Sequence, residues 1–582
     1  MIIKFVLKYS GDLLERFFIR VAKEMNLPIG IKKENEYLYV YVKGNEKEIE
    51  QYSSKLAHEL PMSIFLNSLN AEVTEEFSEF LSNDFPKRNL PPCPRCLSEV
   101  KDVNNKNYYN PMHHCEICGY QLNEELKIDN EKLNDKNERK KYFEEIAEKL
   151  KKDGEVCIGT FNGKYKLTTN LENVDAILAV DLSAVASYFM SFDGDAKALA
   201  SIEKPFIKLK TNIDFKKTFG LSTPAYYVKL PDDMILELLC EEIKNDIKLI
   251  GLKGAGEAEF FNFDIKKDEE ILAVVTDTKE HVIIPVKGDR GLIPKFEKSL
   301  GNSAGINDKY AAYSTEEKTV LDLKENFPEI KAKENPKYLA GFYGVVDMWN
   351  LEDKITLGYI LYKSDESKIL LNSPKFGLVE YISFEFKFNS FEEIFASIAA
   401  MNDTGKKLVK NFSEKRNDLF LNAMKANLNT DKKGVYYLWG LIGIVLGFSD
   451  NIDEAAEKIM EFSSSAMTKK GPRIDYKMNE RNLDPLWAIR TAMSFRLAGV
   501  DDYLLSYGIV ESFAEFLNNI YETLNKEMVL SGAVLAGDMF EGEFLNKIYT
   551  YISKNYSVFV PKALPLSGAI EAYGNAVINS KS

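Results

Sequence analysis

The chain has 582 residues, 45% of them hydrophobic and 12% aromatic, enough for three or four packed domains and too apolar for a disordered or fibrous polymer. Its formal net charge of −14 opposes non-specific attraction to a phosphate backbone, which weighs against a nucleic-acid partner and leaves only a local basic patch open. Six cysteines, no leader-like N-terminus and no apolar run long enough for a bilayer point to a reducing cytoplasm without membrane insertion.

In chain order, the first 65 residues read as strand, helix, two strands, helix. Ile2 to Leu7 is an apolar run, and Leu13, Leu14, Phe17, Phe18, Val21 and Met25 recur at helical spacing. Residues 37–42 alternate tyrosine with aliphatic side chains as a strand does, and Gly44 closes them. Next come Cys93-Pro94-Arg95-Cys96 and Cys115-Glu116-Ile117-Cys118, with eighteen residues between the pairs. Thiolates two residues apart converge on one ion, and a loop of this length brings the second pair round to complete a tetrahedron, so the spacing predicts a zinc site. Pro92 and Pro94 stiffen the first knuckle and Gly119 follows the second, where a tight turn often needs positive φ. His113 and His114 precede Cys115 and offer substitute ligands, but four cysteines already close a structural site and leave no open position for catalysis.

A Glu/Lys/Asp/Asn-rich linker from residue 123 leads into a helix whose stripe is Phe143, Ile146, Ala147 and Leu150, ending before Gly154. From Glu155 to about Val286 short apolar strands, among them Ile271 to Val275 and Val282 to Val286, alternate with helices as in a mixed α/β domain. Strands at Ile355 to Tyr362 and Lys368 to Leu371 precede a mainly helical stretch, 391–527, in which 435–448 reads as a buried helix. Glu527 to Leu530 reads as a final strand before Ser531-Gly532. Cys157 and Cys240 lie in apolar contexts and read as inert buried thiols.

Taken together, this order resembles the HypF family of hydrogenase-maturation carbamoyltransferases. The cysteine pairs with Leu97, Asp102, Tyr108, Pro111 and Gly119 follow that family's zinc pattern; Gly154, Gly163, Tyr165, Leu167 and Lys204-Pro205-Phe206 resemble its YrdC-like domain. Gly440 to Gly447, Glu454-Ala455-Ala456, Leu530-Ser531-Gly532, Pro565 and Gly568 resemble its Kae1-like domain. The resemblance implies a multidomain α/β and α+β protein: an acylphosphatase-like ferredoxin-type sandwich (1–85), a CxxC zinc module (86–124), a YrdC-like α/β domain (125–295) and a two-lobed Kae1-like domain of the actin/Hsp70 type (296–582).

The departures from that pattern are chemical. An acylphosphatase cradles phosphoryl oxygens with an arginine in a glycine-rich loop and holds water with an asparagine. Here the loop is acidic, from Tyr9 through Asp12 and Glu15 to Arg16, Lys33 takes the asparagine's place, and Arg16 is expected on an exposed helix turn. Thr160 replaces a YrdC-like lysine, leaving Lys164, Lys166, Lys204, Lys208 and Lys210 as candidate cations. None of the four histidines, His58, His113, His114 and His281, can supply a Kae1-like histidine motif beyond residue 281, and Ser567 stands at the Asp-Gly-Gly aspartate. Lys204, Gly532 and Gly568 remain as candidate cofactor-binding positions for ATP or carbamoyl phosphate.

The expected function is that of a maturation or accessory protein that binds hydrogenase subunits or maturation proteins through a scaffold with weakened catalytic sites. One alternative is an active carbamoyltransferase using carbamoyl phosphate and ATP. A second is an RNA-binding zinc protein, for which Lys101, Lys106, Tyr108 and Tyr109 form a weak patch beside Glu99 and Asp102.

Overall fold

A computed structural model describes residues 1–34, 36–78, 90–115, 117–120, 133, 135–262, 270–288, 295–296, 299–314, 319–327, 329–480 and 482–581. It divides into two compact units, Met1–Val275 with Glu280–Pro294, and Lys295–Ser582 with Thr276–Lys279. The finer boundaries expected near residues 85 and 124, and most of the linker from 123, lie outside the described residues.

The first unit begins with strand Ile2–Tyr9, helix Glu15–Glu24, strands Ile29–Glu34 and Tyr37–Lys43, helix Glu46–Glu59 and strand Leu66–Thr74. Alternation buries Phe5, Leu7 and Tyr9 on one strand and Leu38, Val40 and Val42 on its neighbour. The helices cover that face with Phe17, Phe18 and Val21 and with Ile49, Tyr52 and Leu56. Asn45 and Glu48 form a reciprocal capping box at the second helix. Sheet order is Ile29–Glu34, Tyr37–Lys43, Ile2–Tyr9, Leu66–Thr74, all antiparallel, which is the ferredoxin-type βαββαβ arrangement. The fourth strand has no sequence signature because it lies at the edge, mostly exposed, and reads Leu-Asn-Ser-Leu-Asn-Ala-Glu-Val-Thr without a buried alternation.

Helix Pro94–Lys101 follows, then helix Lys136–Asp153, capped by the Asp135 side chain and ended by Gly154 at φ 78°. Phe143, Ile146, Ala147 and Leu150 are all buried on it. A seven-stranded sheet runs in the order Glu155–Thr160, Gly163–Thr168, Leu249–Gly254, Ala176–Ala179, Ala225–Lys229, Ile207–Thr211, Phe189–Met190. Only the pair Ala176–Ala179 with Ala225–Lys229 is parallel among its described ladders. Strands Leu272–Val275 and Ile283–Lys287 pair beside it.

The second unit contains a four-stranded sheet (Lys295–Phe296, Thr319–Leu323, Tyr310–Ser314, Ala304–Ile306) and a seven-stranded one. The larger runs Lys477–Asn479, Asn482–Asp484, Gly377–Ser383, Lys368–Ser373, Thr356–Ile360, Gly532–Ala536, Val558–Phe559. Helix Gly434–Leu446 is buried at every residue, with Trp439 Nε1 donating to Tyr476 Oη at 3.1 Å. Gly440 and Gly443 let it lie on helix Ile452–Ser465: a Cβ on either would stand 2.7 Å from the carbonyl oxygen of Ile452 or Ala455. The expected strand at Glu527–Leu530 is instead the end of helix Asp502–Met528, whose Leu517, Tyr521 and Leu524 continue its buried stripe; the strand begins at Gly532. The stretch 391–527 is also broken by the strands Lys477–Asn479 and Asn482–Asp484, each too short to alternate visibly. Among the described residues no helix is long and apolar enough to cross a membrane.

Candidate metal centre and the other candidate sites

Cys93 caps helix Pro94–Lys101, with Pro94 in its first turn, so the helix start places Cys96 one turn on, toward the same point. Cys115 and Cys118 return through a turn in which Gly119 N–H donates to Cys115 O at 3.0 Å, with Gly119 at φ 74°. All four cysteines are buried and their sulfurs lie within 4.8 Å of one another. Cys96 Sγ is 3.5 Å from Cys93 Sγ and 3.8 Å from Cys118 Sγ, and the chain's six cysteines are all free thiols. Four convergent thiolates suit a tetrahedral ion and close its coordination. The donor set fits, because a divalent cation binds each of four buried, convergent sulfurs as a thiolate.

The two histidines are not among the clustered ligands. His113 is buried with Nε2 3.5 Å from Glu99 Oε2, and burial holds its imidazole below the ordinary value. Tyr120 closes the second knuckle: its N–H donates to Cys118 Sγ at 3.4 Å, and Cys115 N–H donates to Tyr120 O at 2.9 Å.

The acylphosphatase-like loop is occupied by its own side chains. Tyr9 Oη accepts from Leu13 N–H at 2.9 Å and from Leu14 N–H at 3.3 Å, placing a phenol where backbone amides would meet an anion. Burial, with Glu15 and Asp12 nearby, pushes the Tyr9 phenol well above its usual value, so it stays neutral. Lys33 Nζ donates to Gly11 O at 2.5 Å and lies 3.7 Å from Glu15. Arg16, expected to be exposed, is buried at 6% exposure, because the first turn of its helix packs inward and takes Glu15 with it.

In the central domain Thr160 is buried and its hydroxyl donates to Gly163 O at 2.9 Å. Lys204 sits at φ 46° and its charge lowers the carboxyl of Glu237, which burial raises more strongly. Lys166 pairs with Glu155 at 2.6 Å and Lys208 lies over the Tyr227 ring, while Lys164 and Lys210 are half-buried. Sequence reasoning missed Lys229. It is fully buried, donates to Asp232 Oδ2 at 2.5 Å and Glu270 Oε1 at 2.7 Å, and lies 4.8 Å from the Phe206 ring centre. Asn162 Nδ2 donates to Asp232 and Tyr165 Oη to Glu270. Next to them, burial and the charge of Asp232 push Asp233 up to about 7. The cation at the heart of this domain is thus matched by internal carboxylates.

In the second unit Gly532 opens its strand at φ 157°, and a Cβ there would meet the Phe559 ring and Ser557 O, so close strand packing explains this glycine. Gly568 (φ 93°) lies beside the Tyr310 ring, and its carbonyl accepts from Asn307 Nδ2. Glu571, one turn on and also missed, is 2% exposed; its Oε1 accepts from Tyr362 Oη at 2.5 Å, and burial pushes its carboxyl up to about 7. Close by in sequence, Lys363 N–H donates to Asp538 Oδ1 at 2.8 Å, and Lys363 Nζ faces Glu457 at 2.8 Å and Glu541 at 3.5 Å. Four carboxylates thus gather around Tyr362 and Lys363, a setting that disfavours a phosphate group.

Comparison with known proteins accords with this architecture. No protein-family model matches the chain. It is similar to the protein HydE of Wolinella succinogenes, 23% identical over 590 residues that span 95% of this chain and 96% of that one. A shorter likeness, 27% over 130 residues, covers 20% of this chain and 17% of the probable carbamoyltransferase HypF of Methanocaldococcus jannaschii. Two HypF crystal structures share the fold over its whole length: full-length HypF in its phosphate- and nucleotide-bound form (TM-score 0.65, 14% identity) and T. kodakarensis HypF (TM-score 0.67, 13% identity). Each covers 100% of this chain, matched to 98% of the other. The fold is therefore that of HypF: acylphosphatase-like, zinc-module, YrdC-like and Kae1-like parts in one chain.

Proposed function

We propose that this protein is a HypF-like factor of [NiFe]-hydrogenase maturation that works by binding hydrogenase subunits or maturation proteins in the cytoplasm, with its reaction centres weakened. The observation that carries this reading is the Tyr9 hydroxyl seated on the amides of Leu13 and Leu14 inside a complete HypF fold. The Lys229 ion cluster and buried Glu571 point the same way. On this reading the four cysteines hold one structural zinc. Deleting the gene should lower hydrogenase activity and leave large-subunit precursor unprocessed, and affinity purification from hydrogenase-expressing cells should recover maturation proteins; normal processing in the deletion strain overturns the reading.

The second reading, an active carbamoyltransferase, draws on Lys204-Pro205-Phe206 and on the likeness to a nucleotide-bound structure. It requires the purified, zinc-loaded protein to convert ATP to AMP and pyrophosphate in the presence of carbamoyl phosphate. RNA binding has less support: Lys101, half of the lysine pair in its patch, is paired with Glu241 at 3.0 Å and Glu237 at 3.7 Å.

A further inference from the structure

We infer that the cysteine module is a metal-dependent bracket between the ferredoxin-type sandwich and the seven-stranded domain of the first unit, and that a separate joint at Glu203 shares the load. The module reaches both neighbours. On one side Arg95 Nη1 donates to Glu24 Oε1 at 2.9 Å, and Glu24 is itself paired with Arg20 and Lys55 on the two helices of the sandwich. On the other, Lys101 pairs with Glu237 and Glu241, Tyr109 Oη donates to Glu242, and Tyr120 Oη accepts from Met234 N–H at 3.0 Å, all on helix Met234–Ile243. Tyr120 also meets the Phe161 ring and Tyr109 the Phe143 ring, edge to face. These contacts belong to the short helix Pro94–Lys101 and to the loops around the second knuckle, which have little apolar core of their own. The ion is what fixes their geometry.

The other joint is independent of metal. Glu203, 1% exposed, accepts from Ser63 Oγ at 2.5 Å and from Ile64 N–H at 3.0 Å, and Ile202 N–H donates to Met62 O at 2.8 Å. Two amides therefore report the two joints separately. Met234 N–H, at the first turn of its helix, has the module's tyrosine as its acceptor; Ile64 N–H has Glu203.

The test is hydrogen exchange on the full chain, with zinc and after chelation, together with energy transfer between fluorophores on unnatural residues at positions 47 and 217. Chelation should speed exchange at Met234 at least tenfold while leaving Ile64 within twofold. Glu203→Ala should do the reverse, and Glu203→Gln, which keeps an acceptor for Ile64, should stay near wild type. Tyr120→Phe should retain zinc yet expose Met234, separating the contact from collapse of the cluster. Only chelated Glu203→Ala should broaden the distance distribution markedly. The bracket is refuted by Met234 protection that survives chelation or Tyr120→Phe, by Ile64 exposure on chelation alone, or by an unchanged distance in the doubly cut protein.

Discussion

Replacing Cys96 with serine removes one of four buried sulfurs and leaves three thiolates around an ion with weakened coordination. About one zinc per chain is expected in wild-type protein and well under half of that in Cys96→Ser, read by metal analysis of chelator-free preparations. Glu571 supplies a test of a different kind. Burial raises its carboxyl from 4.5 to about 7, so between those pH values the folded state keeps a proton that the unfolded state has released, and above them the fold must hold a buried charge. That contribution is fully present below pH 4.5 and lost as pH rises through about 7. Glu571→Gln, which still accepts from Tyr362, should therefore be more stable than wild type at pH 8 by roughly 1–3 kcal/mol, with the gain vanishing by pH 5. Denaturant melts at the two pH values check the sign. The cysteines were legible because their spacing is local and chemically specific. The Lys229 cluster was not, since Glu270 lies 41 residues from Lys229 and nothing in either neighbourhood signals the pairing.

At the scale of elements, the helices with clear apolar stripes were legible and the edges were not. Helix Lys136–Asp153 carries its stripe and its terminal glycine in the sequence. Strand Leu66–Thr74 carries no pattern because one-sided burial, the source of alternation, barely reaches an edge. The misplaced strand at 527–530 was a short apolar run, for which periodicity cannot separate a helix end from a strand. Helix Gly434–Leu446 was recognised as buried, but the use of its glycines emerged only from packing. Gly443→Ala sets a helix-propensity gain of about 1 kcal/mol against overpacking of about 1–3 kcal/mol. The obstruction is the Ala455 carbonyl, a backbone atom that cannot rotate away, so overpacking wins. A lower thermal midpoint with an unchanged far-ultraviolet spectrum is expected.

For the whole molecule, the self-filled loop changes what a ligand is able to do. Tyr9 Oη is an internal ligand for the amides of Leu13 and Leu14, present at the effective concentration of a tethered group. Dissolved phosphate must displace it before gaining anything, so tens of millimolar phosphate should leave the wild-type melting temperature unmoved. Tyr9→Phe keeps the ring and strips the acceptor, leaving those two amides without their partner. The variant should be less stable in phosphate-free buffer yet recover part of the loss when phosphate is added, since stabilisation follows ligand concentration over dissociation constant. The two amides would then be kept from outside anions by one oxygen atom of the protein itself, so that removing a single hydroxyl is enough to make this turn answer to the anions around it.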